Sequence, residues 1–360
     1  MKSQRRILFP LGLTLILALL PMAALYAAQT FYQTHNLVSN QPGVADHTDS
    51  NLKNAWGIAF NPNAVVWIAD NGTGVSTLYD GTGSPQTLVV TIPPPGGGSA
   101  PSAPTGIVFN SSSNFVVTKE SASGPALFIF ATEDGTISGW SPGVDATNAI
   151  LMVDNSAFGA IYKGITLAGN GTAHFLYATD FHNGKIDVFD SSFHPAILSG
   201  SFSDPSIPDG FAPFGIQNLN GDIYVTYAKQ DADKVDDIKG KGLGFVNVFD
   251  SNGNLIRRVA SKGKLNAPWG LAMAPAGFGK FSNRLLVGNF GDGKINAFDV
   301  ATGKTAGTLQ QSQGKDLSVD GLWGLSFGNG VRDQPTDVLF FTAGPNDEAN
   351  GLYGFIEPAP

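Results

Sequence analysis

The sequence contains no cysteine, which excludes disulfides, thiolate metal sites and a thiol nucleophile. Basic charge is scarce as well. Lys and Arg number 21 against 29 Asp and Glu, a net charge of −8, and no basic cluster stands anywhere in the chain. Nucleic acid is therefore excluded as a partner, because its affinity rests on neutralising phosphates. Beyond the first 28 residues no stretch of useful length repeats its apolar positions every 3.6 residues, which argues against α/β layering. No apolar run in that part reaches the ~18 residues of a membrane span.

What is present begins with a leader. Lys2, Arg5 and Arg6 precede the apolar run from Ile7 to Leu20, and Ala23, Ala24, Ala27 and Ala28 follow. That order of charged, apolar and small residues is a secretory signal peptide over residues 1–28, with a retained anchor as the competing reading. The expectation is an exported protein, secreted or periplasmic, whose residues 29–360 form one domain with no membrane span. Loss of the leader takes the net charge to −11, which suits solubility or cation binding. The 45 glycines and 22 prolines suit many short strands joined by tight turns.

One phrase recurs six times: a proline or aromatic, then Gly, then alternating apolar residues. Its glycines are Gly57, Gly106, Gly164, Gly215, Gly270 and Gly324, spaced 49, 58, 51, 55 and 54 residues apart. Each phrase leads to an apolar strand, a polar Gly turn and a strand ending in aromatic-Asp, as in Val66–Asp70 to Tyr79-Asp80 and Leu176–Asp180 to Phe189-Asp190. A third apolar run closes the unit, such as Ile150 to Val153 or Leu255 to Val259. Six four-stranded units at this period predict an all-β, six-bladed propeller with four strands per blade. The sixth unit has no fourth strand before Pro360, while Phe31–Ser39 is a strand without a unit. Pairing the two closes the ring and removes its open edges.

This grammar resembles the NHL-repeat propellers and, more distantly, the senescence-marker and paraoxonase propellers. Phe130–Gly139, Asn36–Ser39, Asp70–Val75, Tyr227–Ala232, Leu286–Asp299 and Ala343–Glu348 are closer to an uncharacterised bacterial family of exported propellers. That last likeness brings the fold and no activity.

In a propeller, the start of each innermost strand and the turn between its second and third strands lie on one face. Trp56, Thr105, Lys163, Phe214, Trp269 and Trp323 are thus expected around a central funnel. Beside them fall Glu133, Asp180, His182, Lys229, Gln230, Asp231, Asn289, Asn346, Asp347 and Glu348. Carboxylate and amide oxygens are the ligands calcium takes, and Asp70, Asn289, Asp347 and Glu348 are the candidate set. The senescence-marker and paraoxonase resemblance implies calcium in this place, where a metal activates water for ester hydrolysis.

Plainer roles compete with each of these. Asn71-Gly72, Asp134-Gly135, Asn183-Gly184, Asp292-Gly293 and Asn350-Gly351 read as two-residue hairpin turns. Asp80, Asp190, Asp250 and Asp299 end third strands and read as turn-makers. The tryptophans before Gly read as packing more readily than as a ligand platform. Gly139–Gly143 matches a nucleophile elbow, but Pro142 follows where a helix is needed. Asp231–Gly242 has Asp236 and Gly242 where a calcium loop needs Gly and Glu. The insertions Lys229–Gly244 and Pro93–Pro104 are candidates for a rim or lid. The leading expectation is a monomer that binds a small molecule, extracellular polymer or partner peptide in the funnel. A calcium-dependent lactonase or arylesterase and a structural envelope protein are the alternatives.

Overall fold

The computed structural model describes residues 30–98 and 100–359; the leader, residues 1–28, lies outside them. Six sheets stand around one axis, antiparallel except for a short parallel pair, Val38-Ser39 with His47-Thr48, at the outer edge of the sixth. Blade one is Ala55–Phe60, Val66–Asp70, Val75–Tyr79 and Val90–Thr91. Blade two is Pro104–Phe109, Phe128–Thr132, Thr136–Trp140 and Ile150–Asp154, with an extra hairpin, Val116–Lys119 and Ala122–Pro125. Blade three has only Tyr162–Gly169, His174–Asp180 and Lys185–Phe189. Blade four is Phe211–Leu219, Asp222–Lys229, Gly244–Phe249 and Leu255–Ser261. Blade five is Pro268–Met273, Leu285–Asn289, Ile295–Phe298 and Thr305–Thr308.

Blade six begins with Leu322–Phe327, Leu339–Ala343 and Leu352–Pro358. Its fourth strand is Tyr32–Ser39, antiparallel to the third from Tyr32 opposite Pro358 to Ser39 opposite Leu352. The ring is thus closed as the orphan strand predicts. Tyr32, Leu37 and Val38 are buried in this seam, and the Tyr32 hydroxyl donates to the Phe278 carbonyl at 3.0 Å.

The six repeated glycines have one cause. A Cβ at Gly57, Gly215, Gly270 or Gly324 would press on the carbonyl oxygen of Thr105, Trp269, Trp323 or Trp56, the residue before the next blade's glycine. Gly164 meets Phe214 in the same way, and Gly106 meets the Gly164-Ile165 backbone. The innermost strands approach too closely for any side chain at this level. The residues after the glycines, Ile58, Ile107, Ile165, Ile216, Leu271 and Leu325, then meet on the axis and leave about 20 Å³. That is scarcely more than one water needs, so the axis is a plug and not a channel.

The turns differ from the expected two-residue type. Gly74, Gly135, Gly184 and Gly293 carry positive φ, whereas the Asx residues before them do not. Three- and four-residue loops ending in a left-handed glycine therefore replace Asx-Gly hairpins. The third-strand aspartates are turn-makers as expected. Asp80 Oδ1 accepts the N–H groups of Thr82 and Ser84, and Asp250 Oδ1 those of Asn252 and Asn254.

Candidate functional site

The funnel floor is aromatic. Trp323 lies between Trp56, stacked at 3.7 Å, and Phe290, stacked at 3.8 Å. Trp269 meets Trp56 and Trp323 edge-on, and Phe214 meets Trp323 edge-on. Trp56 and Trp323 are 1% exposed, so they are packing and offer no open platform; Trp269 is half-buried. Their indoles also hold the inner strands. Trp323 Nε1 donates to Asn54 Oδ1 at 2.9 Å, and Trp269 Nε1 to the Lys163 carbonyl at 2.9 Å. Trp56 Nε1 has no hydrogen-bond partner.

Above this floor lies a mixed-charge cluster. Lys163 is 1% exposed, with its ammonium over the Trp56 and Phe181 rings at 5.3 and 5.8 Å. It pairs with Glu133 and, at 3.2 Å, with Asp236 Oδ1. Burial alone would lower its pKa, but these carboxylates outweigh burial and raise it. Glu133 Oε2 accepts from Asn71 Nδ2 at 2.8 Å. Asn54 Nδ2 bridges Asn71 Oδ1 at 3.2 Å and Glu348 Oε2 at 2.7 Å. Burial, reinforced by Glu133, pushes the Glu348 carboxyl up.

The blade-four insertion closes the mouth. Gln230 pairs with Asp237 across its base, and the segment between carries Asp236 to Lys163. Lys239 sets its ammonium 4.4 Å above the Phe290 ring and 3.9 Å from Asp347 Oδ1. Asp237 is trapped beneath: its Oδ2 is buried without a partner, and burial pushes its carboxyl up to about 7 against the pull of Lys163 and Lys239. Opposite stands a left-handed turn. Asn346, Asp347 and Glu348 have φ of 60°, 49° and 65°, a conformation costing about 1–2 kcal/mol per residue. It turns Glu348 into the cluster while Asp347 stays fully exposed. Backbone strain of this kind gathers at functional sites.

The sequence candidates therefore divide. Glu133, Glu348, Asp347, Trp56, Trp269 and Trp323 are brought together at the mouth. Gln230 lies beside it, its amide donating to the Phe181 and His182 carbonyls and tying blade four to blade three. His182 keeps a buried Nδ1 without a partner. Asp231 Oδ1 accepts the Val235 N–H and shapes the insertion. The Asn346 N–H donates to Asp320. Lys229 contacts the Asp209 carbonyl and the Phe211 ring within its own blade. Asp180 is a turn acceptor for Asn183.

The proposed calcium ligands do not assemble. Asp70 is fully buried against Thr77, at 2.8 Å, and burial raises its pKa well above the carboxylate range. Asn289 is fully buried, and its amide donates to the Lys264 carbonyl and to Asp292. Neither reaches Asp347 or Glu348. Among the described residues no group of three or more His, Asp or Glu has a metal-holding arrangement. Sequence reasoning missed Asn54, Asp236, Asp237 and Lys239 as site residues. The density of charge in the insertion was the signal for the last three; for Asn54 there was none.

The chain is 36% identical over 338 residues to an uncharacterised protein of Acanthamoeba polyphaga mimivirus, covering 91% of this chain and 81% of that one. A second protein of the same virus is 33% identical over 334 residues, covering 90% and 85%. The chain belongs to this family. Its relatives are viral, so the bacterial origin implied by the resemblance is not supported. No family model matches. Among solved structures, a streptogramin B lyase aligns with a TM-score of 0.53 at 13% identity, covering 92% of this chain and 98% of that one. The PQQ-bound aldose sugar dehydrogenase of Streptomyces coelicolor aligns with 0.52 at 12% identity, covering 92% and 99%. At such identities these likenesses show the propeller fold alone.

Proposed function

We propose that the protein binds a small, positively charged molecule at the funnel mouth, with the blade-four insertion as its lid. One observation carries this reading: three enclosed carboxylates, Glu133, Asp237 and Glu348, and the more exposed Asp236 gather around a single buried ammonium, Lys163, with Lys239 at the rim. Buried carboxylates without matching charge are costly, and an incoming cation offsets that cost. The Phe290 ring at the mouth suits the same charge, since it already carries the Lys239 ammonium at 4.4 Å.

Calorimetric titration with agmatine and spermidine, with citrate, glucose and calcium chloride as comparisons, tests this. The amines should bind, and Glu348→Gln should weaken them at least ~10-fold, about 1.4 kcal/mol. Binding of citrate or glucose in preference to amines refutes the reading. Binding of calcium alone, at amine-insensitive affinity, replaces it with the metal-dependent one.

A second reading as an enzyme rests on Asp237. A carboxyl pushed up to about 7 exchanges a proton readily at neutral pH, as an acid–base catalyst must. The lyase and dehydrogenase among the fold neighbours show that propellers of this shape host chemistry. Turnover of aryl acetates or lactones that is lost in Asp237→Asn would favour it.

A further inference from the structure

Trp56, Trp323 and Phe290 form one continuous stack, with ring centroids 3.7 and 3.8 Å apart and planes within 14° of parallel. An ammonium stands at each end: Lys163 lies 5.3 Å from the Trp56 centroid and Lys239 4.4 Å from that of Phe290. Trp323 fills one face of Phe290, so Lys239 covers the other, and Phe290 is left 4% exposed. The two lysines are held differently. The Lys163 side chain is 2% exposed and pairs with Glu133 and Asp236. The Lys239 side chain is 46% exposed and pairs, at 3.9 Å, with an Asp347 that is fully exposed. An exposed ion pair of that length contributes little, and an exposed cation–π contact not much more. Against both stands the rotamer freedom a lysine loses when its chain is pinned. The backbone on either side is fixed: the Ile238 N–H donates to the Lys229 carbonyl at 2.7 Å, and the Gly240 N–H to Asn266 Oδ1 at 2.6 Å. Rotation of the Lys239 side chain therefore uncovers the Phe290 face while the insertion keeps its path.

We propose that Lys239 is a tethered stand-in for the ligand: it covers the outer end of the aromatic stack in the free protein and yields it to the alkylammonium end of the incoming molecule. This rests on the cation-binding reading above and adds to it the chemistry of the ligand. The group that Lys239 imitates is a primary ammonium on a methylene stem, its nitrogen over the Phe290 face and beside the Asp347 carboxylate. One ammonium replaces another over the same ring, so the exchange leaves neither the aromatic face nor the carboxylate unmatched. Lys239 itself returns to water with its charge. The cover has a cost in affinity, because the ligand binds only the fraction of molecules in which the face is free.

Calorimetric titration of the full chain with spermidine, repeated on Lys239→Gln and Lys241→Gln, tests this. Lys241 is exposed further along the same insertion, so its substitution removes the same charge and leaves Phe290 covered. Lys239→Gln should tighten spermidine at least ~5-fold, as expected when the free protein has the face open about a fifth of the time. Lys241→Gln should tighten it less than ~2-fold, since its charge acts through screened solvent. Reductive methylation with isotope-labelled formaldehyde gives a second readout by NMR. The dimethylated Lys239 resonance, identified by its absence in Lys239→Gln, should lie upfield under the Phe290 ring current. Spermidine should return it to the position of the exposed lysines. Equal gains in the two variants overturn the proposal, because charge alone then accounts for them. Weaker binding in Lys239→Gln overturns it too, since Lys239 is then part of the site and not its competitor. So does a Lys239 resonance without the ring-current shift, or one that spermidine leaves in place. Spermidine that binds the wild type and Lys239→Gln alike refutes this inference and leaves the cation-binding reading standing; spermidine that binds neither refutes both.

Discussion

Asp237 gives the sharpest test of how the lid sits. Its carboxyl moves from the ordinary 3.8 to about 7, because burial outweighs the pull of Lys163 and Lys239. Between those two values the folded chain holds a proton that the unfolded chain has released. Stability must then fall as pH rises from about 4 to about 7 and level off above. A shift of about three units corresponds to about 4 kcal/mol across that window. Glu348, raised by burial and by Glu133, bends the curve in the same direction. Asp237→Asn keeps the shape and cannot ionise. Urea unfolding of the wild type and variant at half-unit steps from pH 4 to 8 should show the descending slope flattened, with the variant the more stable above pH 7. Parallel slopes would refute the reasoning, because Asp237 would then be solvated and the lid open in solution.

Gly215→Ala should cost about 1–3 kcal/mol, since its Cβ collides with the Trp269 carbonyl. Gly143→Ala, with nothing within 4 Å, should leave denaturant midpoints unchanged, and equal effects would remove the close-approach account of the repeat. A chain beginning at Asn40 loses the seam strand, and calorimetry should find its melting point lowered by more than ~10 °C.

Blade number and closure were legible because the same steric event, strand against strand at Gly57 and its five equivalents, left the same residue in each copy. Asp80 and its equivalents were legible for a like reason: a local turn writes its acceptor beside itself in sequence. The site was less so. Glu133 and Glu348 stood out because neither serves a turn in the other blades. Asp236, Asp237 and Lys239 sit in an insertion whose path depends on contacts with three other blades, and nothing within the segment encodes that path. Asn54 is a half-turn before a strand until Trp323, 269 residues away, donates to it. Asp70 and Asn289 misled because strand-end polar residues turn inward to Thr77 and to the Lys264 carbonyl as readily as towards an axis. The missing outer strand of blade three was not legible, because Ala196-Ile197-Leu198 after Asp190 reads like the closing apolar run of the other units yet forms no strand.

The seam in blade six also orders events in time. Gln33 and Glu357, hydrogen-bonded at 2.8 Å, stand 324 residues apart, and bringing such distant segments together costs about 5 kcal/mol of chain entropy. No earlier blade depends on that contact, so five blades can assemble while the ring stays open. A chain emerging from a ribosome carries Tyr32–Ser39 paired only at its end, with His47–Thr48, until Leu352–Pro358 appears. During that interval the strand is exposed to any other open edge, and a second emerging copy offers Leu352–Pro358 as readily as its own chain does. Crowded synthesis therefore favours exchange of this one strand between molecules, producing linked rings in which every blade is native.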